Sequence, residues 1–406
     1  MKENFSMRLM VRSFLSVMLL LGFASLQLWG EAWQQLNMAG DAAADTTAFA
    51  RLSPSIQPAD VKVAMRLVAN WQVAHAAGKW DQDWSYVPLY LGLLATSQTL
   101  STQKYYDVVL TQAEAFHWKL SHRRILHADD EAMAQVYEAL YRDNPQPIRL
   151  ADARATFERL IAYNQGSVSP LLDKYPHRLL WWWSDALFMA PPGLAEMSTL
   201  TGDKAYVKAM DRQWLLTQRQ LYDTSEHLFF RDKGYIHRRG ASGQKIFWAR
   251  GNGWVLAGLA NVLAALPAED QYRADYVHLF EQLAARIAHL QQPDGLWRTG
   301  LLDPYDYAQP EVSASALFTY ALAWGVNQGV LSRSQYTPVI KAAWAGMLRH
   351  VYSNGRLGDI QPVGESPKNY PPTASYVYGV GAFLLAGRQV CLLHQGMSNG
   401  RQIAQK

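Results

Sequence analysis

The run Trp181-Trp182-Trp183-Ser184-Asp185-Ala186-Leu187-Phe188-Met189-Ala190-Pro191-Pro192 sets one carboxylate inside aromatic and aliphatic side chains. Aspartate is seldom fully buried without a partner, and taking its ionised form out of water is costly even after relaxation. Burial therefore raises its pKa instead. A carboxylic acid that keeps its proton near neutral pH serves as a general acid, and that is the chemistry Asp185 could do. The structural alternative is an ion pair with an arginine, or a cap on the helix that Pro191 and Pro192 start, since proline suits a first helical turn.

Other polar and aromatic clusters stand at a recurring place in the chain: Asp83-Trp84-Ser85, Trp248-Ala249-Arg250-Gly251-Asn252, Pro310-Glu311-Val312-Ser313 and Thr373-Ala374-Ser375-Tyr376. Each comes just before or at the start of a segment rich in Gly and Ala and poor in charge, over 86–95, 253–266, 314–326 and 379–390. Such segments read as helices buried on all sides. Between them, 61–77, 105–120, 132–141, 148–163, 206–222, 272–290 and 336–351 repeat apolar residues at helical spacing, with few alternating runs that would indicate strands. Amphipathic outer helices alternating with apolar inner ones predict an all-α toroid of helical hairpins. The inner helices then run the same way, and their amino-terminal ends gather at one mouth, where N–H groups and helix dipoles favour an anion. Taken singly, each cluster is also ordinary capping and turn chemistry.

With 406 residues, 49% of them hydrophobic and 18% charged, the chain can bury a large core. A net charge of +4 without a basic run broken by aromatics does not point to nucleic acid. The 15 Trp and 21 Tyr suit sugar rings, whose apolar faces stack on aromatic ones, as well as a core. The single Cys391 permits neither an intrachain disulfide nor a cysteine-based zinc site. Gly251-Asn252-Gly253 and Gly379-Val380-Gly381 lack the third glycine of a dinucleotide fingerprint and follow no strand, so they read as packing glycines. No zinc helix, Walker loop or nucleophile elbow occurs. The carboxylates Asp129-Asp130-Glu131, following His122 and His127, are first a helix-start signal. No cofactor and no metal are called for.

Residues 1–32 carry Lys2, Arg8 and Arg12 ahead of the apolar run 14–21, followed by the small residues Gly22, Ala24 and Ser25, or Gly30 and Ala32. This is the pattern of a secretory signal. It predicts an exported protein, periplasmic or secreted, with no stable membrane partner beyond this segment; extension by 26–29 would make it an uncleaved anchor instead. Residues 33–56 read as a tether, and 57–406 as a single catalytic domain.

Trp182-Trp183-Ser184-Asp185-Ala186-Leu187-Phe188-Met189-Ala190-Pro191-Pro192, Glu226-His227-Leu228-Phe229-Phe230-Arg231-Asp232 and Phe247-Trp248-Ala249-Arg250-Gly251-Asn252-Gly253-Trp254 closely resemble motifs of glycoside hydrolase family 105, the unsaturated rhamnogalacturonyl hydrolases. The likeness continues through Asp294-Gly295-Leu296-Trp297-Arg298, 310–316 and 378–387, and so covers most of the chain after the tether. The resemblance implies an (α/α)6 barrel and the removal of a terminal 4,5-unsaturated uronic acid from short pectin-derived oligosaccharides. It makes Asp185 the catalytic acid and base, and places Arg250, Trp248, Trp254, His227, Trp183, Met189 and Trp84 around the substrate, with Asp130 as a second carboxylate. Arg250 would hold the substrate carboxylate, with Arg298 as the next candidate. Tyr86-Val87-Pro88 departs from the small residues usual in the family after the Trp84 position.

One acid suffices for such a substrate. Ordinary glycosidases use two carboxylates about an oxocarbenium-like centre, whereas C4 of a vinyl ether accepts a proton while water adds at C5. Two other readings stay open on the same toroid: a lyase or epimerase, for which His227 and Tyr86 are the candidate bases, and a non-catalytic uronate-binding protein.

Overall fold

The computed structural model describes residues 48–164 and 179–404, with side chains to 393. The predicted signal segment and most of the predicted tether lie outside the described residues. The end of that tether is not loose: Ala50 N–H donates to the Val351 carbonyl at 2.8 Å, Ser353 N–H to Ala48, and the Phe49 ring lies 4.8 Å from that of Tyr352.

The outer helices are α1 (Pro58–Ala76), α3 (Lys104–Ala115), α6 (Ile148–Asn164), α9 (Lys204–Leu221), α11 (Arg273–His289) and α13 (Arg333–Leu348). The inner ones are α2 (Val87–Leu100), α5 (Ala134–Asp143), α8 (Pro191–Thr201), α10 (Ala249–Ala265), α12 (Val312–Asn327) and α14 (Val377–Ala404). One-turn helices α4 (Ala128–Glu131) and α7 (Ala186–Met189) precede α5 and α8. The inner helices pack in a closed ring, α2 on α5, α5 on α8, α8 on α10, α10 on α12, α12 on α14, and α14 back on α2. Each outer helix leads into an inner one, which is the (α/α)6 barrel.

The two helix classes differ in the way their sequences require. In α9, Tyr206, Met210, Trp214, Thr217 and Leu221 recur at three- to four-residue spacing and are buried, while Lys208, Arg212 and Arg219 face outward; Asp203 Oδ1 caps the helix by accepting from Ala205 N–H at 2.8 Å. Nearly every residue of α10 and α12 is buried instead. Inner helices approach one another more closely than side chains allow. A Cβ on Gly381 would lie 2.2 Å from the Pro88 carbonyl carbon, and one on Gly258 would lie 2.2 Å from Leu187 O. Of the predicted packing glycines, Gly381 makes this approach, and Gly379 and Gly253 pack on Ile360 and Leu317 with little room for a side chain; Tyr86-Val87-Pro88 is the point where α2 meets α14.

Two differences from the sequence reading have physical causes. The segment 132–141 carries an amphipathic pattern but lies in the inner ring: its polar Gln135 and Glu138 are buried, Gln135 donating to the Phe188 and Met189 carbonyls, and full exposure begins only at Arg142. The helix expected over 105–120 stops at Ala115, because His117 and Trp118 take positive φ of 54° and 58°.

Candidate active site

All inner helices present their amino-terminal ends at the same mouth. Trp84 stacks on Tyr378 with centroids 5.7 Å apart and meets the edge of Trp254 at 6.1 Å, and Phe188 lies 4.8 Å from Trp254. These contacts tie the starts of α2, α7, α10 and α14 into one aromatic floor. Trp254 is completely buried and its indole N–H meets no acceptor among the described residues, so it belongs to the floor rather than the wall. Trp84 remains half-buried above it.

Asp185 stands at the start of α7. The Ser184 N–H donates to the Arg231 carbonyl at 2.8 Å, and Trp183 bridges to Asp232, so the extended segment after the β-hairpin fixes the backbone that carries the acid. Its side chain caps no helix and forms no ion pair among the described residues. Both structural alternatives therefore fail. The Ser184 hydroxyl donates to Oδ1 at 2.9 Å. Burial pushes the carboxyl pKa upward, opposed first by the charge of Arg231, then by the Ser184 hydroxyl and by Arg250.

The second carboxylate is a correction. Asp130, expected in the pocket, is turned to the 122–127 loop, where it accepts from the Arg124 backbone N–H and is ion-paired with the Arg124 guanidinium. Its neighbour Asp129 feels the charges of Asp83 and Asp185. Burial is the largest cause raising its pKa to about 7; Arg124 opposes the rise, and Asp83, Asp185 and Asp130 add to it. His127 caps this turn, accepting from Asp129 N–H at 3.3 Å, and stacks on Trp183 at 4.7 Å, with Trp182 5.0 Å beyond.

Arg250 is also placed differently from expectation. Its guanidinium is sandwiched between the rings of Trp248 at 4.6 Å and Tyr378 at 4.9 Å. Nη1 donates to the Gln361 carbonyl, and Nη2 donates to that of Pro362 at 2.7 Å. Gln361 completes the clamp: its Oε1 accepts from Trp248 Nε1 at 2.8 Å, its N–H donates to Glu311, and its carbonyl also accepts from the Tyr378 hydroxyl. Arg250 and Trp248 thus hold the 361–362 segment at the mouth. Glu311 caps α12 through Ser313 N–H, the Ser313 hydroxyl and Ala314 N–H, which is the ordinary capping reading of that cluster.

Three further candidates have partners of their own. His227 occupies the hairpin turn between β1 (Tyr222–Asp223) and β2 (Leu228–Phe229) with φ of 53°, its Nδ1 2.9 Å from the Tyr222 hydroxyl, which also donates to Gln282 of α11. Arg298 is paired with Asp294 at 2.8 Å. Met189 is buried at the far end of α7, its carbonyl accepting from Gln135 at 3.0 Å. Arg231, Asp129, Ser184 and Tyr378 were not singled out from sequence, although Ser184, Arg231 and Tyr378 lie within the motifs that carry the resemblance.

Comparison with known proteins adds to this geometry. Residues 61–393 match the family model described as Glycosyl Hydrolase Family 88. The chain is 35% identical over 359 residues to the "Unsaturated 3S-rhamnoglycuronyl hydrolase" of Formosa agariphila, an alignment spanning 83% of this chain and 92% of that protein. A solved structure described as a polysaccharide lyase superposes with a TM-score of 0.76 at 30% identity, covering 84% of this chain and 98% of its own. A family 105 glycoside hydrolase of C. acetobutylicum shares the fold at a TM-score of 0.64 and 18% identity, over 80% of this chain and 98% of that one.

Proposed function

The chain belongs to glycosyl hydrolase family 88, and from that premise we propose that it hydrolyses a terminal 4,5-unsaturated uronic acid from a short oligosaccharide, with Asp185 as its acid and base. The observation that carries the assignment of Asp185 is its burial without an ion-pair partner at the aromatic mouth, which favours the protonated acid. That acid gives its proton to C4 of the vinyl ether. The ionised carboxylate then takes a proton from the water that adds its oxygen to C5, so Asp185 ends as it began. The C5 hemiketal opens, and the hemiacetal left at C1 releases the neighbouring sugar. Asp129, whose pKa burial raises to about 7 against the pull of its partner Arg124, offers the sugar a hydrogen-bonding group that carries less negative charge beside Asp185 than an ordinary aspartate would. Trp84, half-buried, supplies a face on which a sugar ring stacks.

The sugar behind the uronate is rhamnose in this reading, which the name of the Formosa agariphila relative supports. The pectin-derived oligosaccharides that the motif resemblance implies and the rhamnoglycuronyl unit of that name share this rhamnose. Export directed by residues 1–32 is part of the same reading; Met1 or Met7 found intact in a soluble cytosolic pool, by amino-terminal sequencing of protein from the native host, would overturn it.

A lyase reading has one observation in its favour, the 30% identity to a structure described as a polysaccharide lyase. Elimination needs a base at C5. The Tyr86 hydroxyl donates to the Lys79 carbonyl at 2.6 Å and His227 is held at Tyr222, so neither candidate base stands with Asp185. An ultraviolet assay separates the reactions. A hydrolase bleaches the conjugated acid of an unsaturated uronyl-rhamnose disaccharide and frees rhamnose. A lyase generates the same absorbance from a saturated oligosaccharide, and a binding protein leaves both unchanged.

A further inference from the structure

We propose that Gln135 is a positioning residue for the reaction: from α5 it holds the carbonyl end of α7, the single helical turn that starts at Asp185. The proposal rests on the hydrolase reading above and adds a residue to the support of its acid.

The need for such a residue arises in the chain itself. In a continuous helix the Phe188 carbonyl would accept from the N–H three or four residues further on, and those positions are Pro191 and Pro192. Proline has no N–H to give. Met189 loses the donor that position 192 would have supplied in the same way. Phe188 is completely buried, so its carbonyl needs a partner from elsewhere in the fold. Gln135, itself buried, is that partner: its Nε2 donates to Phe188 O at 2.9 Å and to Met189 O at 3.0 Å.

The other end of the turn is the acid. The Phe188 N–H donates to the Asp185 carbonyl at 3.0 Å, so Phe188 is fastened to Asp185 on one side and to Gln135 on the other. Because Asp185 forms no ion pair among the described residues, its place depends on the turn that carries it.

A glutamine amide can turn over, which would aim its oxygen at the two carbonyls. Its neighbours set it the right way round. Gln135 Oε1 accepts from Asn261 Nδ2 of α10 at 3.3 Å, and Asn261 Oδ1 accepts from the Tyr320 hydroxyl of α12 at 2.6 Å. Burial pushes the Tyr320 pKa upward, so this hydroxyl stays a donor. One phenol thus orients two amides in turn, and the row runs from α12 through α10 and α5 to the turn under Asp185. Trp84, which binds the sugar ring in the same reading, stands on another element. Loosening the row therefore acts on the acid and leaves binding in place.

The test measures kcat, KM and melting temperature of the full chain on the unsaturated uronyl-rhamnose disaccharide. Gln135→Met keeps the length of the side chain and removes its donors; kcat per folded molecule is expected to fall about 10- to 100-fold, the scale of a misplaced reacting group, while KM holds within about twofold. Gln135→Glu is the conservative variant. At about pH 5 a buried carboxyl keeps its proton and again offers one donor and one acceptor; the titratable and charged groups around the same cavity are Glu138, Arg142, Glu196, Tyr320 and Arg388. Compared with wild type at that pH, it is expected to recover most of the kcat that Gln135→Met loses. Should Gln135→Met not fold, Tyr320→Phe decides: it keeps Gln135 and frees its orientation, and kcat should fall about threefold or more at unchanged KM. Wild-type kcat in Gln135→Met, or in Tyr320→Phe where the former does not fold, overturns the proposal. So does a loss confined to KM, or one that Gln135→Glu fails to recover. A wild-type protein that never bleaches the conjugated acid is a different result, which overturns the hydrolase reading and the proposal with it.

Discussion

The hydroxyl of Ser184 donates to Asp185 Oδ1 at 2.9 Å, while the N–H of the same serine donates to the Arg231 carbonyl at 2.8 Å. One residue thus orients the acid and fastens it to the strand that carries Arg231, the cation whose charge acts on it most. The serine favours the ionised form and burial the protonated one, and burial prevails. The acid can then move between both states within one reaction cycle.

Asp185→Asn keeps the shape of the side chain and removes the proton. Turnover is expected to fall by about 10²- to 10⁴-fold or more, the usual range for general acid–base help. Because no ion pair is broken, and a neutral amide costs less to bury than a carboxylate, melting temperature should hold or rise. Turnover and melting measured on one preparation check this; an unstable variant with normal turnover per folded molecule refutes the assignment.

Asp129 has a stability signature of its own. In the folded chain it keeps its proton to about pH 7, against 3.8 ordinarily. Between these values the folded state binds more protons than the unfolded one, so stability falls as pH rises through the window and levels off above it. Asp129→Asn removes this dependence, and the variant should gain on wild type by roughly 2–4 kcal/mol from pH 4 to 8. Chemical denaturation of both proteins at pH 4, 6 and 8 measures the difference; a gap that does not widen with pH would count against the burial of this carboxyl.

Arg250→Ala tests the clamp. It leaves the carbonyl of Pro362 without its donor and weakens the hold on that of Gln361, at roughly 1–3 kcal/mol for each buried group left unsatisfied, and it uncovers Trp248 and Tyr378. The expected result is a clear drop in melting temperature, with turnover per folded molecule reduced less than in Asp185→Asn. Wild-type stability in this variant would contradict a holding role.

Gly258→Ala reaches the acid from behind. The new Cβ would sit 2.2 Å from Leu187 O and 3.0 Å from Phe188 Cα, backbone that cannot step aside without tilting α7. Overpacking of this kind costs roughly 1–3 kcal/mol or more. Gly381→Ala makes an equally short contact with the Pro88 carbonyl, between α2 and α14. Both should lower stability, but only Gly258→Ala should also lower turnover per folded molecule, because only it displaces the turn that carries Asp185. Equal turnover in the two variants would argue against this route.

The fold was legible before any coordinates because it depends on periodicity, a local property. Four uniformly apolar segments alternate with amphipathic ones, which predicts a toroid of hairpins, while the count of six came from the family resemblance. Asp185 was legible for a related reason: a lone carboxylate in the run 181–192 conflicts with its surroundings wherever the segment folds. The choice between Asp129 and Asp130 was not. The two are adjacent on one helical turn, and the path of the 122–127 loop brings Arg124 to both, with Asp130 also accepting from the Arg124 backbone N–H while Asp129 feels the charges of Asp83 and Asp185. The roles of the arginines were hidden for the same reason. A motif shows that Arg250 follows Trp248, but the partners that occupy its guanidinium come from residues 361, 362 and 378, more than a hundred positions away. His227 looked available as a base until the hairpin placed it at a turn with φ of 53° beside Tyr222. Side-chain chemistry can be read from a sequence, whereas the hydrogen bonds a side chain has left to offer depend on neighbours that only the closed barrel brings to it.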